Sequence, residues 1–268
     1  MKTFQSSFRQ LSFLMAFVVL AVSCQKDEKP EAPELPPLSS LEMEFVDFVN
    51  PKSVNATESY QNRNLAVLHV AFWNTVVFVH MAVPVAAFRE AFNHQPVLQG
   101  DGRWLWTYTV GVAQANYTAR LYATAGGVFT QWEMYLSKTG PGAFTDFLWY
   151  SGQSHIGNTQ GSWTLFKSPA EAVPFIDIDW YRNSNGTRGI TYTNVVPGGP
   201  ENGGFISHKI TNDTPYDAAY EIYNKGQDNH VEIRWSRLTK AGQIKDPKFF
   251  GNEQFHCWDS TGADTDCP

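Results

Sequence analysis

The chain has 268 residues, is 43% hydrophobic and 15% aromatic, and carries 20 basic against 26 acidic side chains, a formal net charge of -6. That aromatic richness excludes an intrinsically disordered body. A mildly acidic balance with no basic cluster argues against nucleic acid as a partner. Aromatics at this density suit strands and their cross-strand pairs, and the length past the N-terminal region suits one large β-rich domain.

Lys2 and Arg9 precede an apolar run over residues 11–22, interrupted by Ser12. Its length is that of a signal-peptide core and short for a bilayer span. Small residues then lead straight into a cysteine. The run Leu20-Ala21-Val22-Ser23-Cys24 resembles the lipobox of bacterial lipoproteins, with Ala21 where leucine is usual and Leu20 one place earlier. The resemblance implies a signal peptide over residues 1–23, cleavage between Ser23 and Cys24, and acylation of the Cys24 thiol. Each buried methylene contributes about 0.8 kcal/mol, so two or more chains hold stably where one is marginal.

Gln25, Lys26, Asp27 and Glu28 are similar to the charged export signal that follows the lipid cysteine in surface-exposed lipoproteins of Bacteroidota-type bacteria. That similarity implies an outer-membrane protein, lipid-anchored and facing outward; an ordinary solvated tether is the alternative. Residues 29–40, KPEAPELPPLSS, are too proline-rich and polar to build a core, so residues 24–40 read as lipidated cysteine and flexible tether. Residues 41–268 then form a single β-rich domain with helices over 62–92.

Residues 65–88 hold no charged side chain. The run resembles a membrane span, but it contains His69, Asn74, Thr75 and His80 and meets Pro84, and an already anchored chain needs no second anchor. The pattern predicts one helix from near Asn64 to Met81 and a second from Pro84 to about Phe92. A helix apolar on all sides is expected to be surrounded by protein, here the concavity of a curved sheet. His69 and His80, three turns apart and about 16 Å along the axis, are too distant to share one ion.

From residue 100 the period changes to two. Strands are expected at 103–110, 115–124, 128–136, 144–151, 161–166, 174–182, 188–194, 204–211, 218–224 and 231–238, punctuated by glycine and asparagine turns. Ten such strands predict a mainly β (α+β) fold, an antiparallel meander forming a barrel or half-barrel with the hydrophobic helix packed inside. This arrangement resembles the half-barrels of lipoprotein carriers and related lipid-handling proteins, in architecture only. The chain also looks like Bacteroidota lipoproteins that end in a similar Cys-Trp-Asp tail, a similarity that brings no activity with it.

With Cys24 given to lipid, Cys257 and Cys267 read as a local disulfide in an oxidising compartment, worth about 3 kcal/mol by loop entropy. His256, Asp259, Asp264 and Asp266 surround the same loop and leave a metal site as the competing reading, although the spacing matches no EF-hand. No hydrolase, metalloprotease or phosphate-loop motif occurs, and neither a metal nor a cofactor is expected. Asp177 and Asp179, two apart on one strand, share a face with Phe175 and Tyr181. They sit about 7 Å apart, a spacing open to glycosidic acid–base chemistry or simply a solvated face. Glu133 is expected on the opposite side. Among nine tryptophans, Trp104, Trp106 and Trp149 are candidates for contact with a ligand. They line a cavity for an apolar or amphiphilic molecule, form a platform for sugars, or fill the core. Binding of a lipid or other amphiphile leads, a surface glycan- or protein-binding module follows, and a hydrolase comes last.

Overall fold

The structure is a computed structural model that describes residues 30–45, 47 and 59–267. The signal peptide, Cys24 and the tetrapeptide 25–28 lie outside the described residues.

The fold is mainly β. After a 3-10 turn at Leu38–Ser40, helix α1 spans Gln61–Ala91. There follow β1 (Val97–Leu98), β2 (Trp104–Val112), β3 (Ala115–Gly126), β4 (Phe129–Lys138), β5 (Phe144–His155), β6 (Gln160–Ser168) and β7 (Glu171–Arg182). The chain continues with β8 (Arg188–Asn194), β9 (Phe205–Ile210), β10 (Ala218–Asn224), β11 (Asn229–Trp235) and β12 (Gly242–Lys245). A short helix α2 (Pro247–Phe250) separates these from β13 (His256–Trp258) and β14 (Asp264–Thr265).

All fourteen strands pair in chain order into one antiparallel sheet. In that order β1 and β14 each have one neighbour, so the hydrogen-bonded sheet is not closed. The ten expected strands are β2 to β11. The four additional ones have two to four residues each, too few for alternation to show in the sequence.

Alternation places one face of every long strand inside. Trp106, Leu121, Met134, Tyr150, Leu165 and Ile176 face one another in register across β2 to β7, and all are buried. Tyr192, Ile206, Ile222 and Val231 continue the same layer across β8 to β11. Gly152 sits between Trp132 and Trp163. A Cβ there would stand 2.1 Å from the Ser162 carbonyl oxygen and 2.6 Å from the Trp163 ring. Only glycine lets the two indoles cover that stretch of backbone.

Helix α1 packs against the inner face. Tyr108 on β2 donates to the Ala87 carbonyl, the Phe88 ring meets Tyr150 and Trp163, and His80 lies against Phe175. At the other end Asn62 Nδ2 donates to the Cys257 carbonyl of β13. Asp264 caps the helix from β14, its carboxylate accepting from Gln61 N at 3.1 Å and Asn62 N at 2.9 Å. The expected disulfide is present, Cys257–Cys267. It ties the chain just beyond that capping residue to β13.

Three expectations need correction. The helix does not break at Pro84, which lies inside α1. It bends instead by 65° between Gln61–Val76 and Val79–Ala91. Thr75 Oγ1 donating to the Ala71 carbonyl and His80 Nδ1 hydrogen-bonded to the Val76 carbonyl compete with the helical ladder on both sides of that bend. No single helix among the described residues is long and apolar enough to cross a membrane.

Second, the domain begins before Leu41. Leu35 and Leu38 pack on the core, Ser40 is fully buried, and Asn158 Nδ2 donates to the Leu35 carbonyl. The chain then crosses the inner face as an extended strap with Leu41, Met43 and Phe45 buried. Tyr192 Oη accepts from Met43 N at 2.7 Å and donates to the Leu41 carbonyl at 2.9 Å, and Tyr220 Oη donates to the Glu44 carbonyl. The prolines of 30–37 keep the segment out of the sheet without keeping it out of the core.

Third, Phe175 is buried and Glu133 lies on the outer face. Pairing in sequence aligns Glu133, Ser151, Thr164 and Asp177, so Glu133 and Asp177 share a side. Register shifts in β6–β7 pairing after Leu165 turn Phe175 inward, opposite to Tyr181.

Candidate ligand-binding groove

The first half of α1 is not surrounded by protein. Leu68 and Phe72 are 65% and 62% exposed, and Val79 beyond the bend is 66% exposed. A helix that is apolar all round and covered on one side only leaves an apolar stripe facing outward.

That stripe forms one wall of a groove of about 350 Å³. Leu65, Leu68, His69, Phe72, Trp73 and Val76 supply the helical wall. Asn194 at the end of β8, Glu201 and Gly204 in the β8–β9 connection, and Asn224 and Gln227 beside β10 supply the other. The polar wall is held by its turns. Asn194 N donates to the Gly204 carbonyl and Gly203 N to the Asn194 carbonyl, both at 2.8 Å. Glu201 reaches over to accept from Gly226 N at 3.2 Å. A Cβ on Gly226 would stand 2.3 Å from that carboxylate, which would have to swing aside.

His69 is oriented from behind. Its Nε2 is 2.8 Å from Asp246, whose other oxygen accepts from Asn229 Nδ2 at 2.8 Å and from Phe249 N at 3.2 Å as the N-cap of α2. Burial alone would push the Asp246 carboxyl up; the hydrogen bonds from His69, Asn229 and Phe249 outweigh it and hold the carboxyl below its ordinary value. Trp73 differs. It is 7% exposed, lines the groove, and its indole N–H has no acceptor among the described residues. An indole can only donate, and a buried donor left unpaired costs about 1–3 kcal/mol.

The three tryptophans singled out from the sequence are not brought together. Trp106 is buried against Trp132 at 5.8 Å. Trp104 pairs with Ala123 at one end of the β2–β3 ladder. Trp149 packs with Phe144, Phe147 and Tyr117, and Tyr117 faces Val110 near the other end. Of the nine, seven are buried and Trp104 and Trp149 are half-buried, so they act as core.

Asp177 and Asp179 do share the outer face. Thr164 Oγ1 donates to Asp177 at 2.7 Å, while burial and the neighbouring Asp177 charge push the Asp179 carboxyl up. Next to them Gln131, Glu133, Ser151, Gln153, Ser162 and Thr164 line an open hollow of about 550 Å³. In the tail loop, Asp264 caps α1, Asp259 closes its own turn by accepting from Thr261 N and Ala263 N, and His256 stacks on Phe250. Among the described residues no three His, Cys, Asp or Glu side chains are grouped to hold a metal ion.

Leu68, Phe72 and Trp73 were hidden in the sequence by their own surroundings: inside a uniformly apolar run nothing distinguishes a core-facing residue from an exposed one. No protein-family model, curated protein or solved structure matches the chain.

Proposed function

We propose that the protein is a lipoprotein anchored through Cys24 in the outer membrane and displayed at the cell surface, whose half-barrel domain binds a lipid or another amphiphile in the groove beside α1. The observation that carries the binding reading is the exposed apolar wall of Leu68 and Phe72 facing a wall of amides and one carboxylate. Apolar on one side and polar on the other, it matches a molecule built the same way. Covering Leu68 and Phe72 with an alkyl chain stabilises by about 1–2 kcal/mol each.

The reach of the helix supports the half-barrel reading. Strands β2 and β13 are eleven spacings apart, about 53 Å in a flat sheet. Asn62 touches β13 while Ala87 touches β2, and those two helix positions are at most about 38 Å apart. A sheet curled around α1 and the strap reconciles the two lengths. The anchor rests on the apolar run ending at Cys24, and outward display rests on Gln25, Lys26, Asp27 and Glu28.

A surface glycan-binding module is the second reading, favoured by the polar hollow beside Glu133 and Gln153. Tyr122 and Trp132 also line that hollow, the first half-buried and the second buried, so it presents one ring and no row of exposed tryptophans. Binding of the uncharged dye N-phenyl-1-naphthylamine tests the first reading. Its fluorescence rises on the wild-type protein, and the double variant Leu68→Glu/Phe72→Glu, with an unchanged circular dichroism spectrum, loses at least tenfold in affinity. Equal enhancement by the variant refutes the groove. Incorporation of labelled palmitate that disappears in Cys24→Ser tests the anchor, and label retained in that variant refutes it.

A further inference from the structure

We propose, resting on the Cys24 anchor, that the tips of the β3–β4 and β5–β6 turns lie in the interface of the bilayer that holds the acyl chains. The domain then stands on the membrane by one end of its sheet. The two turns are neighbours: Phe129 at the start of β4 pairs with His155 at the end of β5, and Ile156 N donates to the Val128 carbonyl at 3.0 Å. At their tips Val128 and Ile156 are 57% and 59% exposed, where turns ordinarily place polar side chains.

Two observations make lipid the occupant. The first is where the tether enters. Asn158, buried in the second turn, donates through Nδ2 to the Leu35 carbonyl at 3.2 Å and to the Glu34 carboxylate at 3.4 Å. Leu35 is eleven residues beyond Cys24, so chain length alone keeps the acylated thiol within about 40 Å of it. A tether that short makes the contact intramolecular, and a weakly apolar tip suffices. The second is charge. Residues 123–132 and 151–166, the two turns with their flanking strand ends, contain no aspartate, glutamate, lysine or arginine. Laying them among head groups strips water from no fixed ion. Turns at the other end of the same strands differ: Lys138 and Asp146 flank the β4–β5 turn, and Lys167 pairs with Glu171 across the β6–β7 turn. The polar wall of the groove is built from the β8–β9 connection and the β10–β11 turn, at that opposite end, so the groove opens away from the bilayer.

Site-directed fluorescence on the full lipidated chain tests the contact. With Cys24 acylated and Cys257 bonded to Cys267, a thiol introduced by Val128→Cys, Ile156→Cys or, at the opposite end, Thr139→Cys takes a nitrobenzoxadiazole label alone. Each protein is reconstituted into phosphatidylcholine vesicles with and without a doxyl lipid whose spin label sits near the head group. Labels at 128 and 156 shift to the blue and are quenched at least twofold by the doxyl lipid; the label at 139 does neither. Adding Ile156→Asp to the Val128→Cys protein cuts that quenching by half or more, because the isoleucine and not the dye holds the tip in place. The proposal is overturned if, on protein that floats with the vesicles, labels at 128 and 156 are quenched no more than the label at 139. A blue shift without quenching, the mark of cover by a second copy, overturns it too, as does quenching indifferent to Ile156→Asp. If intact mass shows Cys24 bare and the protein does not float, the anchor itself falls and the contact with it.

Discussion

His208 makes this fold acid-sensitive in a defined window. It projects inward from β9, 8% exposed, stacked on Tyr220 at 4.7 Å and Trp235 at 5.8 Å. Burial disfavours its charged form first, Arg188 adds to that, Asp47 opposes it and Arg237 reinforces it, and the result is a pKa lowered from 6.5 to about 4. The unfolded chain therefore takes up a proton at higher pH than the native one. Stability from a neutral His208 is fully present above pH 6.5 and is lost progressively as pH falls towards 4. Linkage gives about 2 kcal/mol lost at pH 5 relative to pH 7.5, and about 3 kcal/mol by pH 4. For a domain of this size, 2 kcal/mol is about 4–8 °C in Tm. His208→Phe keeps a ring between Tyr220 and Trp235 and removes the titration. Thermal unfolding followed by circular dichroism at pH 7.5 and pH 5 reads the difference: the wild-type Tm falls further than that of the variant by that margin. Parallel pH dependences for the two proteins would refute the assignment to His208.

Two further substitutions probe what holds the interior in place. Asp264→Ala strips the N-terminus of α1 of a carboxylate that accepts from two backbone N–H groups, and unfolding in urea is expected to show a loss of about 1–2 kcal/mol, with Asp264→Asn losing less. Equal stability of all three proteins would deny the cap any weight. Tyr192→Phe leaves the Leu41 carbonyl and Met43 N without their phenol, a loss of about 1–3 kcal/mol. The same variant is expected to be cut faster by protease within residues 30–60, and an unchanged cleavage rate would show that the strap is held by its apolar side chains alone.

The ten long strands were legible because each has one buried and one solvated face, so period two survives in the sequence. The short strands β12 to β14 have no room for a period, and the β2–β3 hairpin turns through Ala113 and Gln114, both at positive φ, without the asparagine–glycine pair that usually marks such a turn. The strap is a different kind of omission. Leu41, Met43 and Phe45 alternate with Glu42 and Glu44 as plainly as any strand. Their place after a proline-rich stretch concealed that they belong to the core, because composition speaks of a window and burial of single residues. The groove was the least legible part. Leu68 and Phe72 lie in a run with no polar face to break the symmetry, and which side stays open depends on where the sheet ends, a property of the whole fold. The disulfide was legible because two cysteines ten residues apart, in a chain with one other already assigned to lipid, leave few partners.

Native mass spectrometry of the protein purified from its own cells under gentle conditions tests the binding claim most directly. The account predicts a non-covalent adduct with the mass of a lipid or another amphiphile, present on the wild type and absent from a folded Leu68→Glu/Phe72→Glu variant. A wild-type protein that emerges without any adduct and leaves N-phenyl-1-naphthylamine fluorescence unchanged would contradict it.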